Sequence, residues 1–176
     1  MFIFCTITPP VCRAQTPPAS IFSLDLGYTL TGLTNNGWGL GVSYEQKIWD
    51  YLSVKGGFGH MTFLTSREDV YCTSVHISLF TNYYPFRGGI DKLYIGIGSG
   101  ADFMNYFGDG ELPDNSADNV IHITLILGWK FLVWKHVMID VSGGYKFIAV
   151  DAQNYKTILD YIHPGVHFGI GIKIFL

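Results

Sequence analysis

The residues of this chain that could do chemistry are few and widely spaced. Four acids, Asp25, Glu45, Asp102 and Asp140, and four lysines, Lys55, Lys130, Lys146 and Lys173, stand in stretches where apolar residues alternate with small or polar ones. His76, His122 and His167 share that polar row. Equal numbers of acids and lysines can pair, and histidine with carboxylate can hold a metal. The spacing argues against a metal. Only His163 and His167 lie close together, and no carboxylate falls at a ligand spacing. No metal and no cofactor is therefore expected. The segment YFGDGELPDNSADN, residues 106–119, gathers Asp109, Glu111, Asp114 and Asp118 with no basic residue. It lacks the spacing of an EF-hand loop and reads as solvated loop.

These residues need elements to position them, and the last residues show which kind. From Ile162 to Leu176 every even position is apolar, while the odd positions run His163, Gly165, His167, Gly169, Gly171, Lys173 and Phe175. Period two means a strand with one apolar face. Gly165, Gly169 and Gly171 would each weaken a helix. The same rhythm starts at Ser20, where Phe22, Leu24, Leu26, Tyr28 and Leu30 oppose Ser23, Asp25, Gly27 and Thr29. It returns until eight strands are counted. Asn35-Asn36-Gly37, Lys47–Tyr51, Pro85–Gly89 and Trp134–His136 read as turns. Ser66–Tyr71, Tyr106–Asn119 and Val150–Asp160 read as loops.

Composition limits where such strands can live. The chain of 176 residues is 48% hydrophobic and only 14% charged, against about 25% charged in a typical soluble domain. It has no run of 18 apolar residues, and the nearest approach, residues 120–134, is broken by His122, Thr124, Gly128 and Lys130. An apolar chain without spanning helices points to a closed barrel, the other structure that satisfies every backbone group in a bilayer. The expected fold is all-β, an eight-stranded antiparallel up-and-down transmembrane β-barrel over residues 20–176. The rival is a soluble lipocalin-like barrel with the apolar face inside. Residues 1–14, MFIFCTITPPVCRA, read as a signal peptide that lacks a basic start and is interrupted by Pro9 and Pro10; the alternative is a disordered tail. Without them the net charge falls from −3 to −4 and Cys72 is the one cysteine left, so no intramolecular disulfide is expected.

With these features the chain resembles the small eight-stranded outer-membrane barrels of diderm bacteria, the OmpX, OmpA-barrel and OmpW kind. The resemblance rests on strand count, on short turns alternating with longer loops, and on the last strand. In that family the last strand carries an assembly signal, and Gly171, Ile174 and Leu176 match its spacing, with Leu176 in place of the commoner Phe. Trp38, Trp49, Tyr51, Tyr83, Tyr84, Trp129, Trp134 and Tyr145 fall near strand ends, as aromatic girdles do. The resemblance implies an outer-membrane location, lipid and lipopolysaccharide as surroundings, the barrel-assembly machinery as a partner, and a monomer.

On this fold the polar row lines a narrow lumen. Buried charges are costly unless paired, so four acids and four lysines favour an ion-paired plug and a membrane-structural or surface-interaction role. The alternative is a narrow conduit or binding barrel for small hydrophobic molecules, as OmpW-like kinship would imply. A third reading is enzymatic. Barrels that trim lipid A use a His-x-Ser pair and a carboxylate, and His122-x-Thr124 with Asp140 is a loose echo. Threonine replaces serine, and the residues lie on the polar row rather than toward lipid, so no enzyme is expected. The segments 66–71, 106–119 and 150–160 sum to −6 and the turns 47–51, 84–92 and 132–136 to +2. Acidic loops suit weak divalent-cation bridging to lipopolysaccharide phosphates. They do not suit nucleic acid.

Overall fold

The computed structural model describes residues 19–31, 35–64, 69–86, 90, 92–110, 117–148 and 162–175. They form eight strands: β1 Ala19–Thr31, β2 Asn35–Trp49, β3 Leu52–Leu64, β4 Val70–Tyr83, β5 Leu93–Gly108, β6 Ala117–Leu132, β7 Val137–Ile148 and β8 Ile162–Phe175. Each strand pairs antiparallel with the next, and β8 returns to β1, so the sheet closes in sequence order. The closing seam runs from Ala19 opposite Phe175 to Thr29 opposite Gly165. Closure leaves no unpaired edge, which is the condition for a sheet in lipid.

Which face turns outward separates the two barrel readings. Leu24, Ile97, Leu127 and Ile172 are each more than half exposed, while Ser23, Ser43, Glu45, Lys55, Lys130 and Asp140 are buried. The apolar row is therefore outside and the charged row inside. A soluble lipocalin-like barrel needs the reverse. An outer surface of Phe, Leu, Ile and Val around a closed sheet is a lipid-facing belt. Aromatic residues mark its ends: Trp38, Tyr71 and Tyr145 toward the loops, Trp49, Tyr83, Trp129 and Trp134 toward the turns, all exposed. Tyr84 departs from the girdle expected of it. It is 1% exposed and packs with Ile21, Ile90, Tyr94 and Met138 inside the barrel. It lies just beyond β4, where the chain bends inward and its amide bonds to the Tyr51 carbonyl.

Several strands outrun their expected ends. Asn35–Gly37, read as a turn, pair with Thr29–Thr31 and open β2. Val70 and Tyr71, read as loop, pair with Gly108 and Phe107. Tyr106–Gly108 and Ala117–Asn119, also read as loop, extend β5 and β6. The reason is the ladder: once neighbours are paired, each added residue gains hydrogen bonds whatever its turn propensity. The β4–β5 ladder ends where only glycine fits. Gly108 has φ of 145°, and a Cβ there would overlap the carbonyl oxygen of Asp69, which itself has φ of 56°. The expected loop 150–160, and Leu176, lie outside the described residues.

Candidate functional site

The barrel interior is where the charged row meets itself. On one wall Glu45 of β2 stands opposite Lys55 of β3. On the other wall Lys130 of β6 stands opposite Asp140 of β7. β2 and β6 lie four places apart in a ring of eight, as do β3 and β7. The walls therefore face each other across the diameter, with each acid aimed at a lysine. The Lys130 ammonium hydrogen-bonds the Glu45 carboxylate, and Lys55 Nζ lies 3.5 Å from Asp140 Oδ2. Asp25 of β1 stands 3.9 Å from Lys55. An eight-stranded barrel is just wide enough for such side chains to fill it.

Hydrogen bonds complete this lower layer, at the turn end. Ser53 Oγ, Asn82 Nδ2 and the Tyr84 hydroxyl all donate to Glu45 Oε1. The Tyr94 hydroxyl donates to Asp140 Oδ1 at 2.9 Å. Lys130 Nζ also donates to the Tyr84 hydroxyl oxygen at 2.7 Å and stands 4.5 Å from the Tyr94 ring centre, a cation–π distance. Burial and the neighbouring Glu45 carboxylate push the Tyr84 phenol well above its ordinary range, so it stays a donor. Glu45 and Lys130 are 2% exposed. Buried charges persist only when paired and hydrogen-bonded on all sides, and here both are.

A second layer sits nearer the loops. Asp102 of β5 accepts from Lys146 Nζ of β7 at 2.7 Å and meets His76 Nδ1 of β4 at 2.6 Å. His122 of β6 brings Nε2 to 3.5 Å from Asp102, and the two imidazoles stack with centres 5.4 Å apart. Above this layer the inner face of β4 to β6 turns apolar: Val70, Cys72, Met104, Tyr106 and Val120 are buried.

Seven of the eight charged residues picked out by alternation thus fall into two groups, Asp25, Glu45, Lys55, Lys130 and Asp140 in one, Asp102 and Lys146 in the other. Lys173 pairs with Ile21 in the backbone register, and its side chain lies outside the described residues. The enzymatic echo comes apart. His122 Nδ1 does bond Thr124 Oγ1 at 3.0 Å, but Asp140 sits in the other layer, held by Tyr94 and Lys55. The acid beside His122 is Asp102. Of the residues expected to carry an assembly signal, Gly171 is buried against Ser23 and Ile21 at the seam; Leu176 lies outside the described residues. Sequence reasoning missed Tyr84 and Tyr94 as members of the network. Tyr94 carries a usable signal, since it shares the parity of Gly96 and Asp102.

A closed antiparallel barrel of eight strands with a lipid-facing belt and a charged interior has the fold of the small outer-membrane β-barrels. No protein-family model and no curated protein matches the chain. Solved structures do. Ail, the attachment invasion locus protein of Yersinia pestis, crystallised with the heparin analogue sucrose octasulfate, is 16% identical over 90% of this chain and 99% of its own, with a TM-score of 0.53. The outer membrane protein OprG of Pseudomonas aeruginosa is 13% identical over 92% and 97%, with a TM-score of 0.57. The N-terminal β-barrel domain of OprF, from the same organism, is 11% identical over 89% and 97%, also at 0.57. At such identities the likeness is one of fold.

Proposed function

We propose that the protein is an integral outer-membrane barrel of a diderm bacterium, with a lumen closed by ion pairs, serving a membrane-structural or surface-interaction role and no catalysis. One observation carries the reading: Glu45 and Lys130 meet across the barrel's diameter, sealed by Ser53, Asn82, Tyr84 and Tyr94. A permeant ion would have to part charges that have no water to replace each other. The loop-side segments 66–71, 106–119 and 150–160 together carry a charge of −6, which bears on what the surface could meet. Ail was crystallised with a sulfated polyanion; acidic loops repel such a ligand and favour cationic partners or divalent-bridged lipopolysaccharide.

The conduit reading has one feature on its side, the apolar inner layer of Val70, Cys72, Met104, Tyr106 and Val120. These residues are at most 4% exposed. They sit on three adjacent strands, β4 to β6, and their near-complete burial leaves no open apolar face along that wall, which favours the plug. Single-channel recording in a planar bilayer tests the proposal. The wild type should show no large steady conductance, and Lys130→Ala should open one or raise brief openings. A large, steady open state in the wild type would overturn the plug. Saturable uptake of a small apolar probe, lost on filling the loop-side layer, would put the conduit in its place.

A further inference from the structure

The loop-side layer holds an imidazole nitrogen whose only acid neighbour stands off at 3.5 Å among the described residues. His122 Nδ1 is engaged by Thr124 Oγ1. Its Nε2 is buried and, among the described residues, has no hydrogen-bond partner. The side chain is 1% exposed, and Nε2 points toward Asp102 Oδ2 at 3.5 Å. Space has been left for that ring. On the neighbouring strand β5, Gly100 pairs with His122, and a Cβ there would come within 2.7 Å of His122 Cε1 and 2.8 Å of Nε2. His76 Nδ1 reaches the same carboxylate from the other side. One ligand atom from each of His76, Asp102 and His122 lies within 4.8 Å of the others.

We infer that His76, Asp102 and His122 bind one divalent transition-metal ion inside the barrel, on its loop side. A tetrahedral ion held at about 2.1 Å spaces its ligands roughly 3.4 Å apart; His122 Nε2 stands 3.5 Å from Asp102 Oδ2 and His76 Nδ1 2.6 Å from Asp102 Oδ1, with the three ligand atoms all within 4.8 Å, so shifts of about 1 Å admit the ion. Two imidazoles and one carboxylate suit zinc, cobalt, nickel or copper; calcium and magnesium prefer all-oxygen sets. The Thr124 bond to Nδ1 is the outer support that orients a metal-binding histidine. His76, the more exposed of the two rings with its side chain 25% accessible, is the ligand that turns from the stacked position to bring the ion into its own ring plane. Lys146 Nζ, 2.7 Å from Asp102 Oδ2, puts its ammonium where the ion's charge belongs. The entering ion displaces it. The acidic loop segments raise the local cation concentration at that mouth.

The full chain, refolded in detergent micelles, is titrated with Co²⁺ followed by visible d–d absorption, and with Cu²⁺ followed by electron paramagnetic resonance. One ion should bind per barrel, with two imidazole nitrogens coupled to copper. His76→Gln and Asp102→Asn should each weaken binding by about tenfold or more; His76 is the cleaner site, since its partial exposure spares the fold. Lys146→Gln should tighten binding, because the competing ammonium is gone. A role in structure alone would not produce that gain. The inference fails if no stoichiometric binding is seen. It fails also if His76→Gln and Asp102→Asn bind as the wild type does, which would place the ion on other histidines such as His60 or His136. Unchanged or weaker binding in Lys146→Gln counts against it too.

Discussion

Glu45 and Lys130 are 85 residues apart in sequence and stand on opposite walls of the barrel, yet their charged groups share a hydrogen bond at its centre. The pair is a strut across the bore. Removing one end leaves the other charge buried and unmatched, which typically costs about 3–5 kcal/mol. Removing both ends together can be close to neutral when the replacements fill the space.

The first prediction follows from that asymmetry. Lys130→Met alone should destabilise the barrel by about 3–5 kcal/mol, and Glu45→Leu with Lys130→Met by clearly less than the two single changes combined. Urea unfolding of all four forms in lipid vesicles gives the coupling. Simple additivity would mean that the two groups do not act as a pair.

At the β1–β8 seam, Gly171 pairs with Ser23, and a Cβ there would lie 2.6 Å from Ser23 Oγ and 2.8 Å from Ile21 Cγ2. Gly171→Val should overpack the seam and cost about 1–3 kcal/mol. Gly56 is the control, since a Cβ there meets nothing within 4 Å. Gly56→Val should stay within about 0.5 kcal/mol of wild type. Equal losses at both sites would show that the crowding at the seam is not what matters. The contrast also separates packing from recognition at a position expected to carry an assembly signal, because the refolding assay contains no assembly machinery.

The lipid belt makes its own prediction. Leu125 lies midway along β6 and is 44% exposed. Leu125→Arg should cost about 2–4 kcal/mol, whereas Trp134→Arg, at the turn end, should cost about 0–1 kcal/mol. Folding equilibria in vesicles read both. A similar small cost at both positions would contradict a bilayer centred on the middle of the strands.

Parts of the site were open to reading in one dimension and parts were not. Asp25, Glu45, Lys55, Asp102, Lys130, Asp140 and Lys146 all announce their face by parity, because a strand has only two faces. Tyr94 obeys the same parity but hides among aromatic residues that could equally serve the belt. Tyr84 has no parity to obey. It lies one residue past β4, so its inward turn is set by the Tyr51 carbonyl that its amide finds. At Asn35–Gly37 and around Gly108 the turn-forming residues do not mark the strand ends, because a ladder runs on wherever its neighbour continues.

The sequence by itself determined the number of strands, the two faces of each, and hence a barrel whose apolar side must meet lipid. Those properties are local: they follow from period two, from glycine and proline, and from the absence of any apolar run long enough to span as a helix. Only the closed sheet decided the partners. Which acid meets which lysine depends on where each strand falls in the ring and on register along it. Four places apart means opposite walls, so Glu45 finds Lys130 and Asp140 finds Lys55. The same closure splits His122 from Asp140 and gives it Asp102 and His76. Spacing along the chain carries no trace of that choice, because distance across a barrel is set by strand order and shear rather than by the number of residues between.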